Sequence, residues 1–149
     1  MGLDFKIYEV LNNYVDLTEP HEIQEKVYLE NHQAMLIVNW FYRKDVHIAN
    51  LRDVYGESNH YVKIYGGDIL EIMVALEKVL NENLDWKKDL LAYHYFPVLD
   101  TTPNYVSSVE MWSDEYYEDL NEIYLCLKEL IPSNAIYNKE RKFFYNISL

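Results

Sequence analysis

The chain has 149 residues, half of them hydrophobic and 15% aromatic, and a formal net charge of −12. That size and apolar content suit one α+β domain over 1–149 and exclude a disordered chain. The acidity excludes general nucleic-acid binding, which depends on Lys and Arg neutralising phosphates. No stretch approaches the roughly 18 continuous apolar residues of a membrane span.

In chain order, Leu3, Phe5 and Ile7 alternate with Asp4, Lys6 and Tyr8, which predicts a first strand over Gly2–Val10. Thr18-Glu19-Pro20 can open a short helix running to about Glu30, with Pro20 at its first position. Met35 to Tyr42 is a continuous apolar, β-branched and aromatic run, expected as a strand buried on both faces and ending at Arg43-Lys44-Asp45. A short helix fits Asp45–Tyr55, and a short strand fits His60–Tyr65. Gly66-Gly67-Asp68 opens a helix over about 68–82, with Asp68 as N-cap and the stripe Ile69, Ile72, Met73, Leu76, Val79 and Leu80. Leu90–Phe96 is expected as a strand ending at Pro97, followed by a turn at Thr101-Thr102-Pro103-Asn104. Ser113 caps a helix over about 113–131, in which Tyr116, Leu120, Ile123, Leu127 and Leu130 repeat at spacings of four and three. Lys142–Leu149 closes the chain as a strand. These elements predict an α+β fold: a single antiparallel or mixed sheet holding the first and last strands, with amphipathic helices packed on one face.

Chemistry-bearing motifs are few. Gly66-Gly67-Asp68 is neither a P-loop nor a dinucleotide fingerprint, and Asp68 would repel a phosphate, so a turn with a helix cap accounts for it. His21, His32, His47, His60 and His94 show no zinc-motif spacing, so the sequence names no metal ligand, catalytic residue or cofactor. Cys126, the single cysteine, excludes an internal disulfide, and its place in an apolar helical pattern predicts a buried, inert thiol. The N-terminus has no apolar signal core, which makes the cytoplasm the expected location.

Charge is more informative. Glu110, Asp114, Glu115, Glu118, Asp119 and Glu122 follow one another with no intervening Lys or Arg, giving an acidic helix face beside Tyr117. Asp114-Glu115 suits a helix N-terminus, and the rest is solvated surface or a contact face for a basic partner. Arg43 and Lys44, with Lys139, Arg141 and Lys142, would form a small basic spot if their strands were neighbours. Fifteen tyrosines supply rigid, amphipathic side chains, some for the core and some for recognition.

Several segments resemble a group of small phage and bacterial proteins. Met1-Gly2-Leu3-Asp4 followed by Tyr8 is similar to their M-G-L-D-x-x-x-Y opening, and Trp40-Phe41-Tyr42-Arg43-Lys44 to an aromatic strand ending in Arg-Lys. Asp114-Glu115-Tyr116-Tyr117 resembles their D-E-Y-Y helix opening, and Phe143 to Ser148 their closing aromatic strand. The group's A-N-x-I-H segment reads Asp45-Val46-His47-Ile48-Ala49 here, so Val46 and Ala49 stand at the Asn and His positions and His47 is the nearest substitute. Some members carry a phosphoglycerate kinase label, which this chain does not support, since it holds neither two domains nor a nucleotide site.

The resemblance implies a phage or mobile-element accessory protein that works by stoichiometric binding, for example by disabling a host defence or housekeeping protein. The expected partner is a host protein with a basic surface, met by Glu115, Glu118, Asp119, Glu122 and Tyr117. A second reading is a nucleotide-like small molecule held between tyrosines and Arg43, Lys44 and His47, close to Asp4 and Tyr8. A third is a small enzyme using Asp4, Arg43, His47 and Glu115.

Overall fold

Alternation of apolar and polar residues gives β1 (Asp4–Val10) one buried face, Phe5 and Ile7, continuing from Leu3. The computed structural model describes residues 3–11, 23–44, 62–98 and 109–148, with the backbone alone for 42–44. β1 pairs antiparallel with β2 (Ile23–Glu30) on one side and with β4 (Lys142–Ser148) on the other. β3 (Val62–Tyr65) pairs antiparallel with β4, so the strand order is β2-β1-β4-β3. Register sets Phe5 opposite Leu29 and Ile147, Ile7 opposite Val27 and Tyr145, and Phe143 opposite Ile64. That apolar face carries the helices, and the opposite face holds Lys6, Tyr8, Tyr28 and Lys63, with Phe144 buried among them. The expected α+β architecture is therefore the observed one, and the terminal strands are direct neighbours in the sheet.

α1 (Asn31–Lys44) follows β2 without a loop. Asn31 makes the change of direction in the left-handed region, φ 53°, which Asn tolerates better than most residues. Its N–H donates to the Leu3 carbonyl at 2.8 Å. From Ala34 to Phe41 every residue but Asn39 is buried. Phe41 stacks on Tyr145 (4.6 Å) and Phe5 (6.0 Å) toward the sheet, while Trp40 stacks on Phe96 (5.5 Å) on another side. A helix that is apolar all round is one enclosed by its neighbours.

This corrects the expectation of a strand at Met35–Tyr42. Eight continuous apolar residues fit a buried helix as well as a buried strand. Here polar residues at both ends, Asn31-His32-Gln33 and Arg43-Lys44, complete a 14-residue helix. The helix expected to run to Glu30 is likewise β2 over its described part: Val27 and Leu29 are buried, and Lys26, Tyr28 and Glu30 are exposed, a period of two. Leu90–Phe96 is not a strand either; most of it lies in α3 (Asp85–Tyr95).

α2 (Gly66–Leu80) buries Ile69, Ile72, Met73, Leu76 and Val79 of the stripe read from the sequence, and Leu80, at its last position, is only partly buried. Its N-cap is Tyr65 rather than Asp68. Asp68 sits in the first turn and its Oδ2 accepts the Tyr65 N–H at 2.8 Å. α4 (Asp114–Leu130) is capped by Ser113, whose Oγ accepts the Tyr116 N–H at 3.1 Å, and it packs on α2 through Tyr116, Leu120, Ile123 and Leu127. α5 (Ile136–Lys139) is a single turn leading into β4. The helix expected at 45–55, the start of the strand at 60–61 and the turn at 101–104 lie outside the described residues. No described helix is long and apolar enough to cross a membrane.

Candidate functional site

Positions 115, 119 and 122 fall on one side of α4 at spacings of four and three. That side meets the first turn of α1, which has no acidic residue of its own. The carboxylates of α4 therefore complement the positive end of the α1 dipole from outside the helix. His32 Nδ1 lies 3.7 Å from Glu115 Oε1 and 3.9 Å from Asp119 Oδ2. The Gln33 amide donates to Asp119 Oδ1 at 3.2 Å and also to Glu122 Oε2. The Asp119 side chain is 15% exposed and that of His32 20%, whereas Glu115 is 67% exposed. Asp119 Oδ2 and His32 Nε2 are withdrawn from solvent and have no hydrogen-bond partner among the described residues. Burial, the largest influence, pushes the Asp119 carboxyl above its ordinary range, against the Gln33 hydrogen bond and His32; the charges of Glu122 and Glu115 add to the rise. Among the described residues, His32, Glu115 and Asp119 form the one group of this kind whose ligand atoms converge, all within 4.8 Å of one another.

The other expected site residues have different partners. Glu118 is exposed on the outer side of α4. Asp4 accepts from the Tyr28 hydroxyl at 3.0 Å, and this bond is the main reason that hydroxyl is pushed up to about 12. Tyr8 is half-buried on β1 opposite Phe144 and Glu25, and burial raises its hydroxyl. Tyr117 is a tether: its hydroxyl donates to Asp89 Oδ1 of α3 at 2.5 Å and Lys88 Nζ lies 4.8 Å from its ring centroid. Burial first, then the Asp89 hydrogen bond, raises its pKa. Arg43 and Lys44 occupy the last two positions of α1 rather than a strand end, which is a correction to the expected strand-end placement. His47 lies outside the described residues. The structure thus gathers Glu115, Asp119 and Glu122 around two residues the sequence had not selected, His32 and Gln33.

Three further expectations change. Arg141 is not part of an open basic spot. It grips Glu9 with two hydrogen bonds (2.7 and 2.9 Å), donates to the Leu130 carbonyl at 2.6 Å and lies over the Phe143 ring. It therefore ties β1 to the end of α4 and the start of β4. Cys126 is exposed, not buried, although partial burial and the charges of Glu129 and Glu122 raise its thiol and so disfavour the reactive thiolate. Several tyrosines are internal fasteners: Tyr116 donates to the Phe96 carbonyl (2.6 Å) and Tyr124 to Glu77 (2.9 Å).

A separate groove of about 590 Å³ runs beside α2, lined by Trp40, Glu71, Lys78, Tyr95 and Lys139 among others. Lys78 donates to the Tyr95 hydroxyl at 3.4 Å across it. No family model, no curated protein and no solved structure matches the chain.

Proposed function

We propose that this chain is a non-catalytic protein that works by stoichiometric binding, and that it meets a basic partner surface with the exposed acidic residues of α4. The observation that carries this reading is a stripe of like charge: Glu115, Glu118, Glu122 and Glu129 are exposed at spacings of three, four and seven along one helix. Leu125 lies between the last two and is 57% exposed. Like charges three and four apart cost a few tenths of a kcal/mol per pair; the first turn of α4 favours Glu115 and the Gln33 amide engages Glu122, but Glu118 and Glu129 have no such structural reason. The net charge of −12 adds long-range attraction for a cationic partner. The resemblance to phage and bacterial proteins makes a bacterial host protein the partner to test first, and inhibition of that protein the simplest outcome of binding.

The test is charge reversal. Glu118→Lys combined with Glu122→Lys leaves helix propensity nearly unchanged, so circular dichroism should report an intact helix. Capture of the partner from bacterial lysate should fall at least tenfold, mainly through slower association, and the residual binding should depend less on salt. Unchanged capture by the reversed protein would reduce the acidic face to solvated surface.

A second reading, a nucleotide-like small ligand, draws support from the α2 groove. Trp40 and Tyr95 offer aromatic surface there, and Lys78 and Lys139 offer positive charge. It replaces Arg43 and Lys44 as the place where such a ligand is sought. Mass spectrometry of small molecules released from the purified protein tests it.

A further inference from the structure

We propose that His32, Glu115 and Asp119 form a binding site for a divalent transition-metal cation of the zinc class. The donor set comes first. One imidazole nitrogen and two carboxylates are ligands that Zn²⁺ accepts, and three protein ligands leave a fourth position open to water or to a ligand atom from a partner.

Geometry comes second. Tetrahedral zinc with bonds of about 2.1 Å holds its ligand atoms about 3.4 Å apart. His32 Nδ1 already stands 3.7 Å from Glu115 Oε1 and 3.9 Å from Asp119 Oδ2, and the ligand atoms that the three residues offer lie within 4.8 Å of one another. The His32 contacts need contract by well under an ångström and the two carboxylates by at most about 1.4 Å, a movement within reach of the exposed Glu115 side chain.

The third observation is independent of ligand type. Asp119 Oδ2, one corner of this triangle, is withdrawn from solvent and accepts no hydrogen bond among the described residues, and its ion-pair contact with His32 Nδ1 is as long as 3.9 Å. A desolvated carboxylate oxygen without a hydrogen bond is costly, and a cation offsets that cost directly. The other oxygen, Oδ1, takes the Gln33 amide at 3.2 Å, which fixes the carboxylate plane as an outer-shell partner would. The framework is rigid: two ligands come from successive turns of α4, and the third from the start of α1, whose direction is set at Asn31.

The same structure bounds the affinity. His32 Nε2 has no hydrogen-bond partner among the described residues, so the ring lacks the outer-shell acceptor that usually strengthens a histidine ligand. Missing one such partner weakens binding by about 10–100-fold, which places the expected Kd for zinc in the micromolar range. Calcium needs about six to eight oxygen ligands, so it should bind more weakly than zinc.

The experiment is calorimetric titration of the whole chain with zinc chloride alone, which needs no knowledge of the protein partner and so does not depend on the binding reading above. One equivalent should bind at micromolar Kd. His32→Ala and Asp119→Asn should each weaken binding at least tenfold, and His94→Ala should leave it unchanged. Glu115→Gln, at a position 67% exposed, should leave the fold intact and weaken binding by at least threefold, so the proposal stays testable if either buried variant fails to fold. The proposal is overturned if no equivalent of zinc binds at up to millimolar concentration, if the Glu115→Gln and His32→Ala proteins bind zinc as the parent does, or if calcium binds as tightly as zinc.

Discussion

Phe41→Ala is expected to lower the unfolding free energy by about 3–5 kcal/mol, the range for truncating a buried aromatic ring. Phe41 is 6% exposed and lies against the two central strands, its ring over Tyr145 at 4.6 Å and Phe5 at 6.0 Å. The alanine removes both ring contacts and leaves a cavity between α1 and the sheet. That cavity cannot collapse easily, because β1 and β4 are each paired on both sides. A domain of this size has about 5–15 kcal/mol in total, so the variant should unfold at markedly lower urea with an unchanged denaturant slope. A loss below about 1 kcal/mol in that titration would mean that α1 does not sit on the sheet as described.

Gly66→Ala is expected to cost about 3 kcal/mol or more, while Gly67→Ala one residue later should be neutral or stabilise by up to about 1 kcal/mol. The two glycines share a helix and differ in what lies beside them. A Cβ on Gly66 would fall 1.8 Å from the Asn138 carbonyl oxygen, a backbone atom of α5 that cannot rotate away. The Gly66 N–H also donates to the Arg141 carbonyl at 2.8 Å, so α2 and the α5–β4 connection must separate to admit the methyl group. A Cβ on Gly67 meets nothing closer than 3.8 Å, and there alanine gains helix propensity without a clash. Thermal melts of the pair check this, and shifts of equal sign and size would contradict the close packing of α5 on α2.

Much of the architecture is legible in the residues. Leu3, Phe5 and Ile7 at one end and Phe143, Tyr145 and Ile147 at the other alternate because one face of their sheet is covered, and they pair as expected. The stripes of α2 and α4 and the Ser113 cap are legible because those helices bury a single face. α1 is not, because burial on all sides erases the period that would distinguish helix from strand. β2 is hidden for the opposite reason. Gln24, Glu25 and Lys26 are good helix formers, and only pairing with β1 overrides them. At the site, helical spacing already reveals that Glu115, Glu118 and Glu122 share a face. No spacing rule brings His32 from the start of α1 to Asp119 on α4, so the convergence of ligand atoms is visible only in three dimensions. Tyr117 had a recognition role on composition alone, and Asp89, its hydrogen-bond partner on α3, explains it instead as a tether.

The claim that the exposed acidic residues of α4 are the contact surface is tested most directly by zero-length carbodiimide cross-linking of the captured complex, which joins carboxylates to lysine amines in contact. The expected result is intermolecular links at Glu115, Glu118, Glu122 or Glu129, lost at high salt. Links confined to acids elsewhere, such as Glu25 on β2 or Glu140 beside α5, with none on α4, would contradict it.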